Sequence, residues 1–245
     1  MISPFAGIGW VGMGYAGVMT KMIVAQCSVR KAWICRIASA GVLVGAITGC
    51  AGERQDSSGA STGRPQRASV VVVGDSITEG SRRQMEEALA FGGFTDIIID
   101  AVSGRRIAVG DGTTAPLSGV TTLQNVLALG ADPDVWVLAL GSNDVGKYPP
   151  AEYESLLNSM IDQIPADANL VWVDVYVEHD LEGTAQFNES VRTRLVDRNH
   201  STVASWFQFA SDPAAAVLQD DRLHPNEAGQ QRFAALVTEA ALVKS

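Results

Sequence analysis

From about residue 69 onward, short apolar runs closed by glycine, aspartate or serine alternate with longer segments in which apolar residues recur at helical spacing. The runs near 69–74, 96–102, 134–140, 169–177 and 203–210 have the length and β-branched content of strands, led by Ser69-Val70-Val71-Val72-Val73. The segments near 81–91, 117–129, 151–163, 184–198 and 226–243 read as helices. Strand and helix alternating in this way imply right-handed crossovers and a parallel sheet covered on both faces, an α/β fold. Trp136 and Trp172 are expected in its core, and Trp206 and Phe207 are expected to pack from the last strand. The chain shows no internal repeat and no second folded domain.

The N-terminal part follows another pattern. Residues 1–50 hold Lys21, Arg30, Lys31 and Arg36 and no acidic residue, which leaves 14 basic against 27 acidic residues, a formal charge of −13, for the remainder. An acidic body disfavours a nucleic-acid partner and a polybasic membrane-surface patch. Arg30, Lys31 and Arg36 precede the apolar stretch 37–49, which ends at Gly49-Cys50: a basic region, an apolar region and a small-residue exit describe an export signal. Ile47-Thr48-Gly49-Cys50 also resembles the bacterial lipobox, which implies a diacylglycerol on Cys50; an uncleaved anchor and a plain signal peptide are the alternatives. Met1 to Thr20 carries no charge and five glycines, so it reads either as sequence upstream of a later start at Met19 or Met22, or as a weak first membrane span. The polar, small-residue stretch 51–68 reads as a flexible tether, with the folded domain at 69–245. All three cysteines, Cys27, Cys35 and Cys50, precede that domain, which excludes disulfides and thiolate metal sites within it.

Candidate chemistry sits where the strands end. Gly74-Asp75-Ser76-Ile77-Thr78-Glu79-Gly80 follows the first strand, which places Ser76 near a helix N-terminus where unpaired N–H groups stand ready for a developing oxyanion; simple capping by Asp75-Ser76 is the plainer reading. The third strand runs into Gly141-Ser142-Asn143-Asp144, and an asparagine there either donates to an oxyanion or forms an Asx turn. The second strand leads to Ser103-Gly104-Arg105, where a glycine turns the chain and also lets its N–H approach a ligand closely. Asp221-Arg222-Leu223-His224-Pro225 sets a carboxylate three residues from an imidazole, the types needed to activate a serine hydroxyl, although a surface turn has the same spacing. His179 and His200 are the only other histidines.

Ser76, Gly104, Asn143 and His224, in this order and context, resemble the SGNH hydrolases, also called the GDSL family, over most of the chain from Ser69 onward. The resemblance implies a three-layer α/β/α sandwich on a five-stranded, flavodoxin-like parallel sheet. It implies Ser76 as nucleophile, His224 as base and Asp221 as its orienting partner, with the Ser76 N–H, the Gly104 N–H and the Asn143 side chain as oxyanion donors. Neither a metal nor an organic cofactor is required. One position departs from the family, which commonly has a small residue such as glycine where this chain has Arg222; that guanidinium either meets an anionic substrate or points to solvent. Asp75, Tyr148, His179 and Arg222 are candidate substrate contacts, with Tyr176 and Glu178 on the same edge. Asn188 and Asn199 head acceptor sequons, but their place in or beside a predicted helix argues against their use.

The resulting expectation is an exported, lipid-anchored serine esterase of the cell envelope, acting on an ester such as an acetylated glycan. Two rivals share the sequence features. One is a carbohydrate O-acetyltransferase using the same triad, and the other is a glycan-binding lipoprotein without the chemistry.

Overall fold

The computed structural model describes residues 68–242; the expected signal, the Cys50 lipidation site and the tether up to Arg67 lie outside them. Five strands, β1 (Ala68–Gly74), β2 (Phe94–Ala101), β3 (Val135–Ala139), β4 (Asn169–Val173) and β5 (Ser201–Ala204), form one sheet in the order β2-β1-β3-β4-β5. Every pairing is parallel. Helices α1 (Ser76–Gly80), α2 (Arg82–Phe91), α3 (Gly119–Ala128), α4 (Tyr153–Ile161) and α5 (Leu181–Val196) connect them, and α6 (Trp206–Ala210) and α7 (Glu227–Leu242) follow the last strand. The parallel sheet covered on both faces that the alternating pattern implies, and the five-stranded sandwich that the family resemblance implies, are the observed fold.

Side chains alternate across a strand, and β1 shows what that does here. Val71 and Val73 pack with Trp136, Leu138, Trp172, Leu123, Leu157 and Phe187, the face covered by α3, α4 and α5. Val70 and Val72 pack with Val135, Val137, Met85, Leu89, Phe233 and Val237, the face covered by α2 and α7. Because both faces are covered, Val70 to Val73 are all buried, and the strand reads as one apolar run. Each such valine contributes on the order of 1.5–3 kcal/mol through burial.

Two strands end earlier than their apolar content suggests, for one reason. Asp174 stops β4: its buried carboxylate accepts from the Phe207 N–H at 2.7 Å and from Ser205 Oγ at 2.9 Å. Those bonds turn the chain after Ala204, so Trp206–Ala210 is the helix α6 and not the second half of a strand. Trp206 is buried as expected, but from a helix. Beyond Asp174, residues 175–177 stay buried, with the Asn188 side chain bonded to both the N–H (2.9 Å) and the C=O (2.8 Å) of Val175. Asn188 is therefore a structural residue with both ends of its amide in use, which agrees with the reading that its sequon is not a modification site. Among the described residues no helix is long and apolar enough to cross a membrane.

Candidate active site

Ser76 stands at the C-terminal end of the central strand β1 because the chain turns there within a single residue. Gly74 permits it: a Cβ on Gly74 would lie 2.2 Å from Thr78 Oγ1, so α1 folds back closely onto the strand end. Asp75 is the N-cap of α1, its Oδ1 accepting from the Ile77 N–H at 3.0 Å. Ser76 is the first helical residue and half-buried. Capping and presentation of Ser76 are one arrangement, not alternatives.

His224 reaches Ser76 from 148 positions away, with Nε2 2.9 Å from Ser76 Oγ. Its Nδ1 lies 2.7 Å from Asp221 Oδ2, while Asp221 Oδ1 accepts from the N–H groups of Leu223 and His224, each at 3.0 Å. The turn expected of the Asp-x-x-His spacing is present, and the same carboxylate faces the imidazole. A carboxylate acceptor at Nδ1 calls for a proton there, leaving the Nε2 lone pair for the Ser76 hydroxyl. The His224 backbone N–H, then its imidazole, hold Asp221 down at about 2, so it is ionised throughout the neutral range.

Gly104 lies in the turn after β2 with φ 77°, a conformation that favours glycine. Its exposed position is fixed by neighbours that a local reading of the sequence passes over. The buried Arg105 guanidinium donates to Gly74 O (3.1 Å), Asp100 O (2.6 Å) and Leu117 O (3.1 Å), and pairs with Asp100 Oδ1 at 2.7 Å. Glu79 of α1 accepts from the N–H (2.8 Å) and hydroxyl (2.5 Å) of Ser103. Asp144, fully buried, accepts from the Ile107 N–H at 3.0 Å and from Arg106 Nε at 3.2 Å. The 103–107 loop is thus tied to β1, β2, α1 and the segment after β3. Asp144 was within sight as the last residue of Gly-Ser-Asn-Asp, and Arg105 as the neighbour of Gly104, but nothing local told what either would hold.

Asn143 Nδ2 donates to Arg105 O at 3.1 Å and to Asp75 Oδ2 at 3.3 Å, which brings the amide between the Ser76 turn and the Gly104 loop. Ser142 Oγ donates a short bond to the same Asp75 oxygen. Burial pushes the Asp75 carboxyl up to about 6, against the pull of the Ser142 and Ile77 hydrogen bonds and of His224. Asp75 is therefore enclosed beneath the site as a capping and bracing group, not placed on its surface.

Of the remaining candidates, none has a hydrogen bond to Ser76, His224 or Asn143 among the described residues. Tyr148 is half-buried under Arg106, whose guanidinium carbon lies 5.0 Å from the ring centroid. His179 is exposed in the single turn Glu178–Asp180 that follows β4. Arg222, about half exposed, forks onto Glu178, with Nε 3.1 and 3.2 Å from the two carboxylate oxygens. Among the described residues no cluster of three or more His, Cys, Asp or Glu side chains is arranged to hold a metal ion.

A profile of the GDSL-like lipase/acylhydrolase family matches residues 72–232 of this chain. No curated protein matches it. Among solved structures, the aryl esterase of M. smegmatis is similar at a TM-score of 0.57 with 16% identity, covering 73% of this chain and 100% of that one. A carbohydrate acetylesterase from Sinorhizobium meliloti gives 0.55 with 17% identity, covering 70% and 97%. The catalytic domain of the Streptococcus pneumoniae peptidoglycan O-acetyltransferase A gives 0.52 with 18% identity, covering 72% and 92%. Identities this low speak for a common fold.

Proposed function

Since this chain belongs to the GDSL-like lipase/acylhydrolase family, we propose that it is an exported serine esterase that removes a short acyl group, such as an acetyl, from a carbohydrate, with Ser76, His224 and Asp221 as its catalytic triad. The observation that carries the reading is the hydrogen-bonded line Asp221–His224–Ser76, at 2.7 and 2.9 Å.

Ser76 Oγ attacks the ester carbonyl carbon as its proton passes to His224 Nε2, and the carbonyl electron pair moves onto oxygen. That oxyanion meets the N–H groups of Ser76 and Gly104 and the Asn143 amide. Asn143 turns one donor to it most readily by giving up the longer of its two bonds, the 3.3 Å contact with Asp75. Collapse of the intermediate expels the alcohol, which takes the proton from His224. Water then attacks the acyl-serine with His224 again as base, releasing the acid and restoring Ser76. The ionised Asp221 keeps His224 in the tautomer that both halves require.

The preference for a small acyl group on a sugar rests on the expected envelope location, with an anchor at Cys50 and a tether. Turnover of p-nitrophenyl acetate, butyrate and octanoate by the protein and by its Ser76→Ala variant tests the reading. Turnover that requires Ser76 and falls with chain length is expected. No turnover on any ester overturns it, and transfer of the acyl group to an added sugar instead of water would make the protein an acetyltransferase.

A further inference from the structure

Arg222 adopts φ 59°, a left-handed conformation that a non-glycine residue enters at a cost. It stands between Asp221 and His224, so whatever holds its backbone also sets the direction of the imidazole. The turn around it is closed locally by the Arg222 N–H to Gln219 O (3.0 Å), the Gln219 N–H to His224 O (2.8 Å) and Gln219 Nε2 to Pro225 O (2.9 Å). None of these bonds ties the turn to the rest of the protein. Among the described residues, the side-chain hydrogen bonds that leave 219–225 for another part of the chain are His224 to Ser76 and those of Arg222 to Glu178 and Tyr176, beside the packing of Leu223 on the core.

Glu178 is a firm place to attach. Arg222 Nη2 approaches Glu178 Oε1 at 3.0 Å, besides the two Nε contacts, and Tyr176 Oη donates to the same oxygen at 3.5 Å. The chain on either side is secured: Asn188 grips Val175, Thr184 Oγ1 donates to Val177 O at 3.3 Å, and Asp180 Oδ1 accepts from the Gly183 N–H at 2.8 Å. A planar guanidinium that meets a carboxylate with two nitrogens fixes direction as well as distance, which a lysine does not.

We propose that Arg222 is a positioning residue, clamping the 219–225 turn to Glu178 so that His224 stays aimed at Ser76. This rests on the esterase reading above for its kinetic consequence, though not for its structural one.

The test compares Arg222→Ala, Arg222→Lys, Glu178→Ala and the double Arg222→Ala/Glu178→Ala in the full chain. With both partners about half exposed, the clamp is worth about a two- to fivefold loss in kcat when broken. Either alanine variant should show that loss with KM unchanged, the double variant should lose no more than a single one, and lysine should recover only part. In parallel, the imidazole resonances of the three histidines are recorded by NMR, with His224 assigned from its His224→Gln variant. Those of His224 should shift or broaden in both alanine variants, while those of His200 stay unchanged. If Arg222→Ala slows turnover or raises KM while Glu178→Ala does neither, Arg222 acts on substrate and the clamp is refuted. Unchanged His224 resonances in both variants refute it whether or not the protein proves to hydrolyse esters. A protein inactive on every ester, whose His224 signals still respond to both substitutions, would remove the esterase reading and leave the clamp standing.

Discussion

Replacing Asp75 by asparagine isolates the energetic cost of the carboxyl group buried beneath Ser76. Burial raises that group from 3.8 to about 6. The unfolded chain releases the proton near the lower value and the folded chain near the higher one, so between them the folded state binds more protons. Its contribution to stability is full below about pH 4 and declines as pH rises through about 6, by a total of about 3 kcal/mol. Asparagine is nearly isosteric and cannot ionise. It keeps an oxygen for the Ile77 N–H but turns an NH2 toward the donors of Ser142 and Asn143, a loss that does not depend on pH in this range. Asp174, also raised by burial, and Asp221, which is lowered, remain in both proteins and cancel in the comparison, whereas Asp144 and His224 interact with the Asp75 charge and belong to the difference it measures. Denaturant unfolding of wild type and Asp75→Asn at half-unit steps from pH 4 to 7 gives the difference in stability directly. Relative to the variant, wild type should lose about 2–2.5 kcal/mol between pH 4 and 7, whatever the constant offset between them. A difference that stays level would refute the claim that desolvation outweighs the Ser142 and Ile77 hydrogen bonds, and one that rises with pH would reverse it.

Other substitutions probe the site itself. Asn143→Ala should reduce kcat by about a hundredfold or more with little change in KM, because one oxyanion donor is lost; an unaltered kcat on p-nitrophenyl acetate would remove Asn143 from that role. In Asp221→Asn the amide can present an N–H to Nδ1 and favour the wrong tautomer, so kcat should fall on the order of 10³–10⁴-fold, whereas full activity would assign the third role elsewhere. Gly74→Ala drives a Cβ into the buried Thr78 side chain and should cost about 1–3 kcal/mol in unfolding free energy as well as slowing turnover; a variant as stable as wild type would show that α1 can move away from the strand.

What was readable in the chain was local. Val70 to Val73 announce a strand covered on both faces because nothing polar interrupts them, and Asp221 finds His224 because three residues of turn suffice to join them. The order of the strand ends, and so the set Ser76, Gly104, Asn143 and His224, could also be listed from the sequence, since each follows an apolar run or a recognisable turn. Other features depend on partners distant along the chain. The run at 203–210 looks like a strand to its end, yet a helix begins at Trp206 because Asp174, more than thirty residues earlier, satisfies the Phe207 N–H and the Ser205 hydroxyl. Arg105 and Asp144 look like ordinary loop residues until the sheet order brings the ends of β1, β2 and β3 together and their charges find backbone groups to hold. Arg222 takes a position that suits glycine, and only the packing of the 219–225 turn against the segment after β4 supplies the carboxylate that holds it. Periodicity and turn chemistry act over a few residues and are written in the sequence; hydrogen bonds between strand ends depend on which strands become neighbours, and that was decided when the two faces of the sheet were buried.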